Sequence, residues 1–479
     1  MKARVPNSFF LFSSRYTLES MIAQICHLSF ELFNKGDGFV ARRKLDLIHN
    51  VFISQTWLLD MLYDIIALGH YGYMNLSEQD CLKLIAYYNN YRNSISCKSN
   101  KSRYDVLYQL FAFFGEQKRF QESHFFDDFS REKYILEEIP KKNNLKFDFN
   151  QEFEIETGMT PDRFSSIIFI LFTYFTTKSC YFDTSIFESW SQNLNIPIQD
   201  IIMVLGRYSS TPDEIRKDKL KRQKFYTSPI IKINNSYIAT NPYLLLALFT
   251  NSNYWVLRNK YLNQNSRAFA NLFGQLFELY VEELLQNCVD KEHFRKIEPV
   301  SKQKRADWLI KLDDYNIIVE QKSSLPTLSI QQNTTDPEEV KKHMKKCWGE
   351  AVEQLKATED ALNLKNSIKI VLMYDEYFKE EAIEWLFPLR PDLYNDRKYW
   401  LVSIRSFEIL LMTYKKHHDV FVNIMKEKIE AEACMSKAGR ELPLFYDKYH
   451  VNNNSYLKEY GISTEFDDII NHILKEMTK

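Results

Sequence analysis

The chain has 479 residues, a formal net charge of −1 and 45% hydrophobic residues, so it can fill more than one core and two or three domains are expected. The balanced charge excludes a global field that attracts nucleic acid, and no run of about 18 uncharged apolar residues predicts a membrane span. Seven scattered cysteines without a CxxC pair predict reduced thiols in a cytoplasmic protein.

Residues 1–215 predict a helical domain. Apolar residues recur at helical spacing over 18–33, 104–114 and 161–177, and residues 45–68 are strongly apolar. Ser77 and the TPDE segment at 211–214 are typical helix starts. We expect this half to recognise the substrate, a partner protein or a second copy of the chain.

A basic linker and a hairpin are predicted to connect the two halves over residues 216–267. The run RKDKLKRQK holds six basic residues and one acid, and it is interpreted either as a solvated helix face or as a phosphate-binding segment. The segment PIIKINNSYIAT predicts a hairpin that turns at Asn234-Asn235. The candidate nucleic-acid-binding residues are Arg216, Lys217, Lys219, Lys221, Arg222 and Lys224.

Residues 273–288 predict an amphipathic helix that carries Glu278 beside its apolar stripe. An acid in an apolar row is costly unless it is paired. A metal ion or Lys322 is therefore the expected partner of Glu278.

Two runs rich in β-formers, ADWLIKL and NIIVEQK, flank Asp313-Asp314 and predict a tight hairpin. A turn centred on these aspartates places Asp307 opposite Glu320, with Cβ atoms about 5 Å apart. A slip of one residue would make the contact diagonal instead.

The facing carboxylates predict a divalent-cation site. Two such groups repel each other, and Mg²⁺ is the cation that takes hard oxygen ligands in this way. Because side chains alternate along a strand, Lys322 points to the same face as Glu320. A lysine there can position a water or stabilise charge on a phosphate.

At these residues the sequence resembles the PD-(D/E)XK nuclease superfamily. The matching residues are Asp307, Glu320-Gln321-Lys322 and Glu278, whereas Ala306 stands where the family has proline. The resemblance covers residues 268–412 and implies a restriction-endonuclease-like core. It also implies Mg²⁺ or Mn²⁺ bound by Asp307, Glu320 and the Gln321 carbonyl, with Lys322 positioning the attacking water.

The rest of this region agrees with an α/β core that contains a mixed sheet. A long polar helix is expected over 336–362, strands over 367–374 and 399–404, and a helix over 380–386. Gln354 could approach the site, as glutamines do in some members of the family. A structural role is favoured for it, because Thr358 stands where the family has a tyrosine. Residues 413–479 predict a helical tail.

The sequence therefore predicts an α+β multidomain protein with a mainly helical N-terminal half. Its predicted function is that of a Mg²⁺-dependent endonuclease, with DNA favoured over RNA, and by analogy a role in prokaryotic restriction or antiphage defence. The alternatives are a catalytically silent nuclease-like scaffold that binds nucleic acid or organises an assembly, and a helical interaction protein whose hairpin matches by chance.

Overall fold

A computed structural model describes residues 7–36, 40–46, 49–96, 124–219, 222–298, 304–325, 330, 337–364, 366–375, 399–433 and 441–462. The fold is α+β, with helices in the N-terminal half, the C-terminal part and both faces of the largest sheet. The helices are Asn7–Ser13, Leu18–Asn34, Gln55–Leu68, Glu78–Ser96, Phe125–Lys142, Phe149–Thr157, Pro161–Thr177, Ile186–Leu194, Ile198–Tyr208, Pro212–Lys217, Gln223–Thr227, Pro242–Asn263, Ala268–Cys288, Pro337–Met344, Glu350–Ala361, Ile404–Lys416, His418–Ala433, Leu442–Lys448 and Tyr456–Glu459.

The strands form three sheets in the described part of the chain. β1 and β2 make an antiparallel pair, β3 to β6 make a sheet of order β3-β6-β5-β4, and β7 to β11 make a sheet of order β11-β10-β9-β8-β7. The strands are β1 Val40–Lys44, β2 Asn50–Ser54, β3 Tyr181–Asp183, β4 Ser209–Ser210, β5 Ile230–Ile233, β6 Ser236–Ala239, β7 Phe294–Lys296, β8 Trp308–Leu312, β9 Tyr315–Lys322, β10 Ile368–Met373 and β11 Tyr399–Ser403.

The five-stranded sheet is mixed and is covered on both faces. β7, β8 and β9 pair antiparallel, whereas β9, β10 and β11 pair parallel. Ile318 of β9 packs with Val352 and Leu355 of the helix Glu350–Ala361. Its neighbours in the strand, which face the opposite way, belong to the larger apolar core together with the helix Ala268–Cys288.

That larger core joins the helical half to the sheet. Its connected buried side chains run from Phe9 to Leu457. A buried ion pair lies within it, since Arg131 donates to both carboxylate oxygens of Glu408 at 2.7 Å. Tyr280 also donates to Glu408, at 2.6 Å, so the helices Phe125–Lys142, Ala268–Cys288 and Ile404–Lys416 meet at one carboxylate. The predicted domain boundaries stay a prediction.

Several local predictions are confirmed. The helix Glu78–Ser96 begins after Ser77, whose hydroxyl accepts from the Asp80 N–H at 3.2 Å. The helix Pro212–Lys217 begins with a capping box formed by Thr211 and Glu214. The predicted connector hairpin consists of β5 and β6, which pair antiparallel around Asn234 in the left-handed conformation.

The N-terminal half contains strands that the prediction of a helical domain lacks. β1 and β2 form an antiparallel pair, β3 and β4 also lie in this half, and within the apolar stretch the helix covers Gln55–Leu68. Short apolar runs without clear periodicity fit a strand as well as a helix, which accounts for the difference. The helices expected over 104–114 and 380–386 lie outside the described residues.

The long helix expected over 336–362 is present with one irregularity. The helices Pro337–Met344 and Glu350–Ala361 are joined by a π-helical turn, Lys345–Gly349, into one continuous element. No helix in the described part of the chain has the length and apolar character needed to cross a membrane.

Candidate active site

The hairpin of β8 and β9 has the predicted register. Leu312 pairs with Tyr315 and Trp308 with Val319, while Asp313 adopts the left-handed conformation that the tight turn requires (φ 50°). The ladder ends at the pair of Trp308 and Val319, so Asp307 lies just beyond it and its direct opposition to Glu320 stays a prediction. The Asp307 N–H donates to the Val319 carbonyl at 3.0 Å, so the backbone of Asp307 is held directly beside β9.

Glu320 and Lys322 lie on one face of β9, as predicted. The Lys322 Nζ lies 2.6 Å from the Glu320 Oε1. It also donates to the Gln354 Oε1 at 3.2 Å, and the Gln354 Nε2 donates to the Arg305 carbonyl at 3.1 Å. The ammonium is therefore held between a carboxylate and an amide whose own position is fixed.

Gln354 reaches Lys322 because its helix packs directly on this face of the sheet. The next turn of the helix carries Thr358, whose hydroxyl accepts from the Ala306 N–H at 2.8 Å and donates to the Gln354 carbonyl at 2.7 Å. These contacts tie the helix to the residue just before Asp307. Gln354 thus approaches the site, and whether its role is structural or catalytic stays a prediction.

Burial governs the charge state of the two carboxyl groups. Burial, followed by the field of Asp307, raises the pKa of Glu320 from 4.5 to about 8, although the Lys322 ammonium lowers it. Burial also raises the pKa of Asp307 from 3.8 to about 6, with the Gln321 N–H acting in the opposite direction. Without a cation, this pair holds a proton at neutral pH.

One carboxylate oxygen of this pair has unused hydrogen-bonding capacity. The Glu320 Oε2 is buried and accepts no hydrogen bond from the described residues. The Gln321 N–H donates to the Asp307 Oδ2 at 2.8 Å. Because the N–H and C=O of one strand residue point to the same side, the Gln321 carbonyl also points towards Asp307. The Gln321 side chain faces the other side of the sheet.

Glu278 lies near the carboxylates but has a different ion-pair partner from the one predicted. Its carboxylate forms an ion pair with Lys296 of β7, not with Lys322. The helix that carries Glu278 packs on the face opposite to Glu320 and Lys322, so Glu278 approaches Asp307 from the β7 side. Its field still raises the pKa of Asp307.

The described residues contain no cluster of three or more His, Cys, Asp or Glu side chains that could together hold a metal ion. The site thus offers two carboxylates, with Glu278 engaged by Lys296. Comparison with protein-family models, with curated proteins and with solved structures found no match to this chain.

Two arginines of the basic segment are held by the protein itself. Arg222 is buried, and its Nη1 donates to the Asp60 Oδ1 at 2.7 Å. Arg222 is therefore removed from the predicted phosphate-binding set, because an ion pair with a residue far away in sequence turns it inward. Arg216 donates to the Ile66 carbonyl at 3.1 Å and to Asp213 at 2.7 Å, which keeps its guanidinium against the protein surface.

The lysines of the basic segment differ in their exposure. Lys217 and Lys219 are exposed to solvent. Lys224 is half-buried, with its Nζ 3.9 Å from an Asp218 oxygen. Lys221 lies outside the described residues. Among the described lysines, phosphate binding stays a prediction chiefly for Lys217 and Lys219.

Sequence reasoning missed Lys296 and gave Gln354 too little weight. Lys296 contacts Glu278 only because β7 pairs with β8, and a three-residue strand leaves no periodic signal. The polar Gln354 faces the sheet from an otherwise apolar helix face, between Ala351 and Leu355. A polar residue in this apolar row is the signal by which the sequence could have identified Gln354 as a site residue.

Proposed function

We propose that this protein is a metal-dependent nuclease that hydrolyses phosphodiester bonds. The observation that carries the proposal is the buried carboxyl group of Glu320 in β9 beside the half-buried carboxyl group of Asp307 just before β8, with the Lys322 ammonium held against Glu320. Such a pair is costly to bury unless its charge is compensated. Perturbed acids gathered at one site are typical of catalytic centres.

The oxygen atoms present fit Mg²⁺ or Mn²⁺. Asp307, Glu320 and the Gln321 carbonyl would hold the ion, and the buried Glu320 Oε2 accepts no hydrogen bond from the described part of the chain. Mg²⁺ commonly uses one or two carboxylates and fills its other positions with water and substrate phosphate, so the absence of a third acid among the described residues is compatible with it. When bound, the cation supplies Lewis-acid stabilisation of the phosphate and lowers the pKa of a water molecule.

The protein's own residues would position the reacting groups. An ammonium group has three N–H donors. Lys322 directs donors to Glu320 and Gln354, which leaves one for a water molecule or a phosphate oxygen. Gln354, fixed by the Arg305 carbonyl, keeps the ammonium from rotating away. Glu320 must release its proton before it can act as a ligand, so we expect activity to rise with pH.

A cleavage assay tests the proposal. Purified protein is incubated with plasmid, linear duplex, single-stranded DNA and RNA in the presence of Mg²⁺ or Mn²⁺. Glu320→Gln and Asp307→Asn should each lower the cleavage rate by at least ~100-fold while circular dichroism stays unchanged. Asp314→Asn is the matched control, because this exposed acid lies at the opposite end of the same hairpin.

The outcomes separate the candidate functions. Wild-type cleavage rates in both site variants would contradict the site assignment. Binding of nucleic acid without cleavage of any substrate would favour the nuclease-like scaffold instead. The preference for DNA and the role in restriction or antiphage defence remain proposals, and the range of substrates in the assay addresses the first of them.

A further inference from the structure

A cavity of about 100 Å³ lies in the helical part of the chain. Its lining residues all precede Asp307 and Glu320 in the sequence. The helices Ile198–Tyr208, Gln223–Thr227 and Pro242–Asn263 enclose it. It opens to solvent beside Asn259, which is exposed. An engineered apolar cavity of about 150 Å³ binds benzene, so this smaller space admits part of one six-membered ring, with the rest at the opening, and excludes a fused pair.

The walls of this cavity provide aromatic surfaces. Tyr208 and Tyr226 are buried and Trp255 is half-buried, and all three line it. Ala247 and Val256 complete the apolar part of the wall. Aromatic faces of this kind favour a flat ligand ring, which they contact by stacking or edge-to-face packing.

Polar groups also face the cavity, and one of them has no partner. Ser252 is 3% exposed, and its Oγ forms no hydrogen bond with the described residues. A buried hydroxyl without a partner costs free energy, which a ligand with a hydrogen-bonding edge would recover. The amides of Asn251 and Asn259 add donors and acceptors to the same lining.

Positive charge lies at the edge of this cavity. Arg207 contributes to the lining and forms an ion pair with Glu156 at 3.2 Å, with both side chains partly exposed. Tyr226 and Thr227 belong to the short helix that directly follows the basic segment. A phosphate attached to a ring inside the cavity would therefore face the Arg207 guanidinium.

We propose that this cavity binds the pyrimidine base of a nucleotide. The ring would pack against Trp255 and the tyrosines, its polar edge would bond to Ser252 and an asparagine amide, and its phosphate would face Arg207. Flipped and single-stranded bases are held by this combination of stacking and edge hydrogen bonds. The site is separate from the carboxylate pair and does not rest on the nuclease proposal.

A binding experiment in EDTA isolates this site from any cleavage. Fluorescence anisotropy compares labelled hexamers of deoxycytidine or deoxythymidine with an abasic hexamer, which carries the same phosphates without bases. The pyrimidine hexamers should bind roughly 5- to 150-fold more tightly than the abasic one, the range expected for one stacked base. Trp255→Ala should remove this difference.

Two further variants keep the proposal testable if Trp255→Ala folds poorly. Ala247→Leu fills the cavity without removing a wall, and Ser252→Ala removes only the hydroxyl, so both should reduce the preference for bases. Tyr73→Ala is the matched control, since Tyr73 is an aromatic residue that is 92% exposed and does not line the cavity. The preference of Tyr73→Ala for pyrimidine hexamers over the abasic hexamer should equal that of the wild type.

Competition with cytidine monophosphate distinguishes the two sources of the base. Displacement of the hexamer shows that a free nucleotide is a ligand, whereas tight hexamer binding without displacement assigns the site to a nucleic-acid strand. Both results support a base-binding cavity. Equal affinity for the pyrimidine and abasic hexamers, or a preference that survives both Trp255→Ala and Ala247→Leu, would overturn it.

Discussion

Replacing Glu320 with glutamine should make the stability of the metal-free protein much less dependent on pH. Burial and the field of Asp307 raise the pKa of Glu320 from 4.5 to about 8. The native state therefore holds a proton that the unfolded chain releases at a much lower pH. This contribution to stability is fully present below pH 4.5 and is lost as the pH rises through about 8.

The expected magnitude follows from the width of that window. Between pH 4.5 and about 8 the native state binds one more proton at Glu320 than the unfolded state. Each pH unit in the window then lowers the free energy of unfolding by about 1.4 kcal/mol. From pH 5 to 8 the loss is on the order of 4 kcal/mol, an upper limit because Glu320 and Asp307 titrate as a coupled pair.

Urea denaturation in EDTA at pH 5, 6, 7 and 8 measures this effect. The free energy of unfolding of the wild type should fall relative to that of Glu320→Gln, because the amide keeps the shape of the side chain and carries no proton to release. The control Asp314→Asn should follow the wild type. With saturating Mg²⁺ the free energy of unfolding of the wild type should depend less on pH, because a bound cation stabilises the ionised carboxylates.

Parallel pH profiles for wild type and Glu320→Gln, differing by less than ~0.5 kcal/mol across the window, would refute the reasoning. Such a result would mean that Glu320 is ionised in the metal-free native state. The Lys322 ammonium would then outweigh burial.

The remaining predictions concern the other candidate residues. Lys322→Ala should lower turnover by about 100-fold while calorimetry finds Mg²⁺ affinity nearly unchanged, since lysine is a donor and not a ligand; a collapse of metal affinity would contradict its role. Glu278→Gln should lower the pKa of Asp307 in an NMR titration of the metal-free protein, because Glu278 raises it; an unchanged titration would remove Glu278 from the site. Lys217→Ala combined with Lys219→Ala should lower the slope of log K against log salt by up to ~1.8 on duplex DNA, about 0.9 for each phosphate group that the protein no longer neutralises; an unchanged slope would indicate a solvated surface.

The sequence by itself determined the features that depend on neighbouring residues. Two runs of β-formers around Asp313-Asp314 specified the hairpin and its register, because a tight turn fixes which residues face each other. The period of the strand then placed Glu320 and Lys322 on one face. The capping box at Thr211 was equally local, since both of its hydrogen bonds join residues three positions apart.

Only the tertiary structure decided the contacts between distant segments. Arg222 turns inward to Asp60, Glu278 pairs with Lys296, and Gln354 reaches Lys322, although each partner lies in another element of the fold. The raised pKa of Glu320 has the same origin, because burial is its largest cause and arises only when helix and sheet pack together. Periodicity along a chain reports which face of an element is apolar, whereas the identity of what covers that face depends on packing.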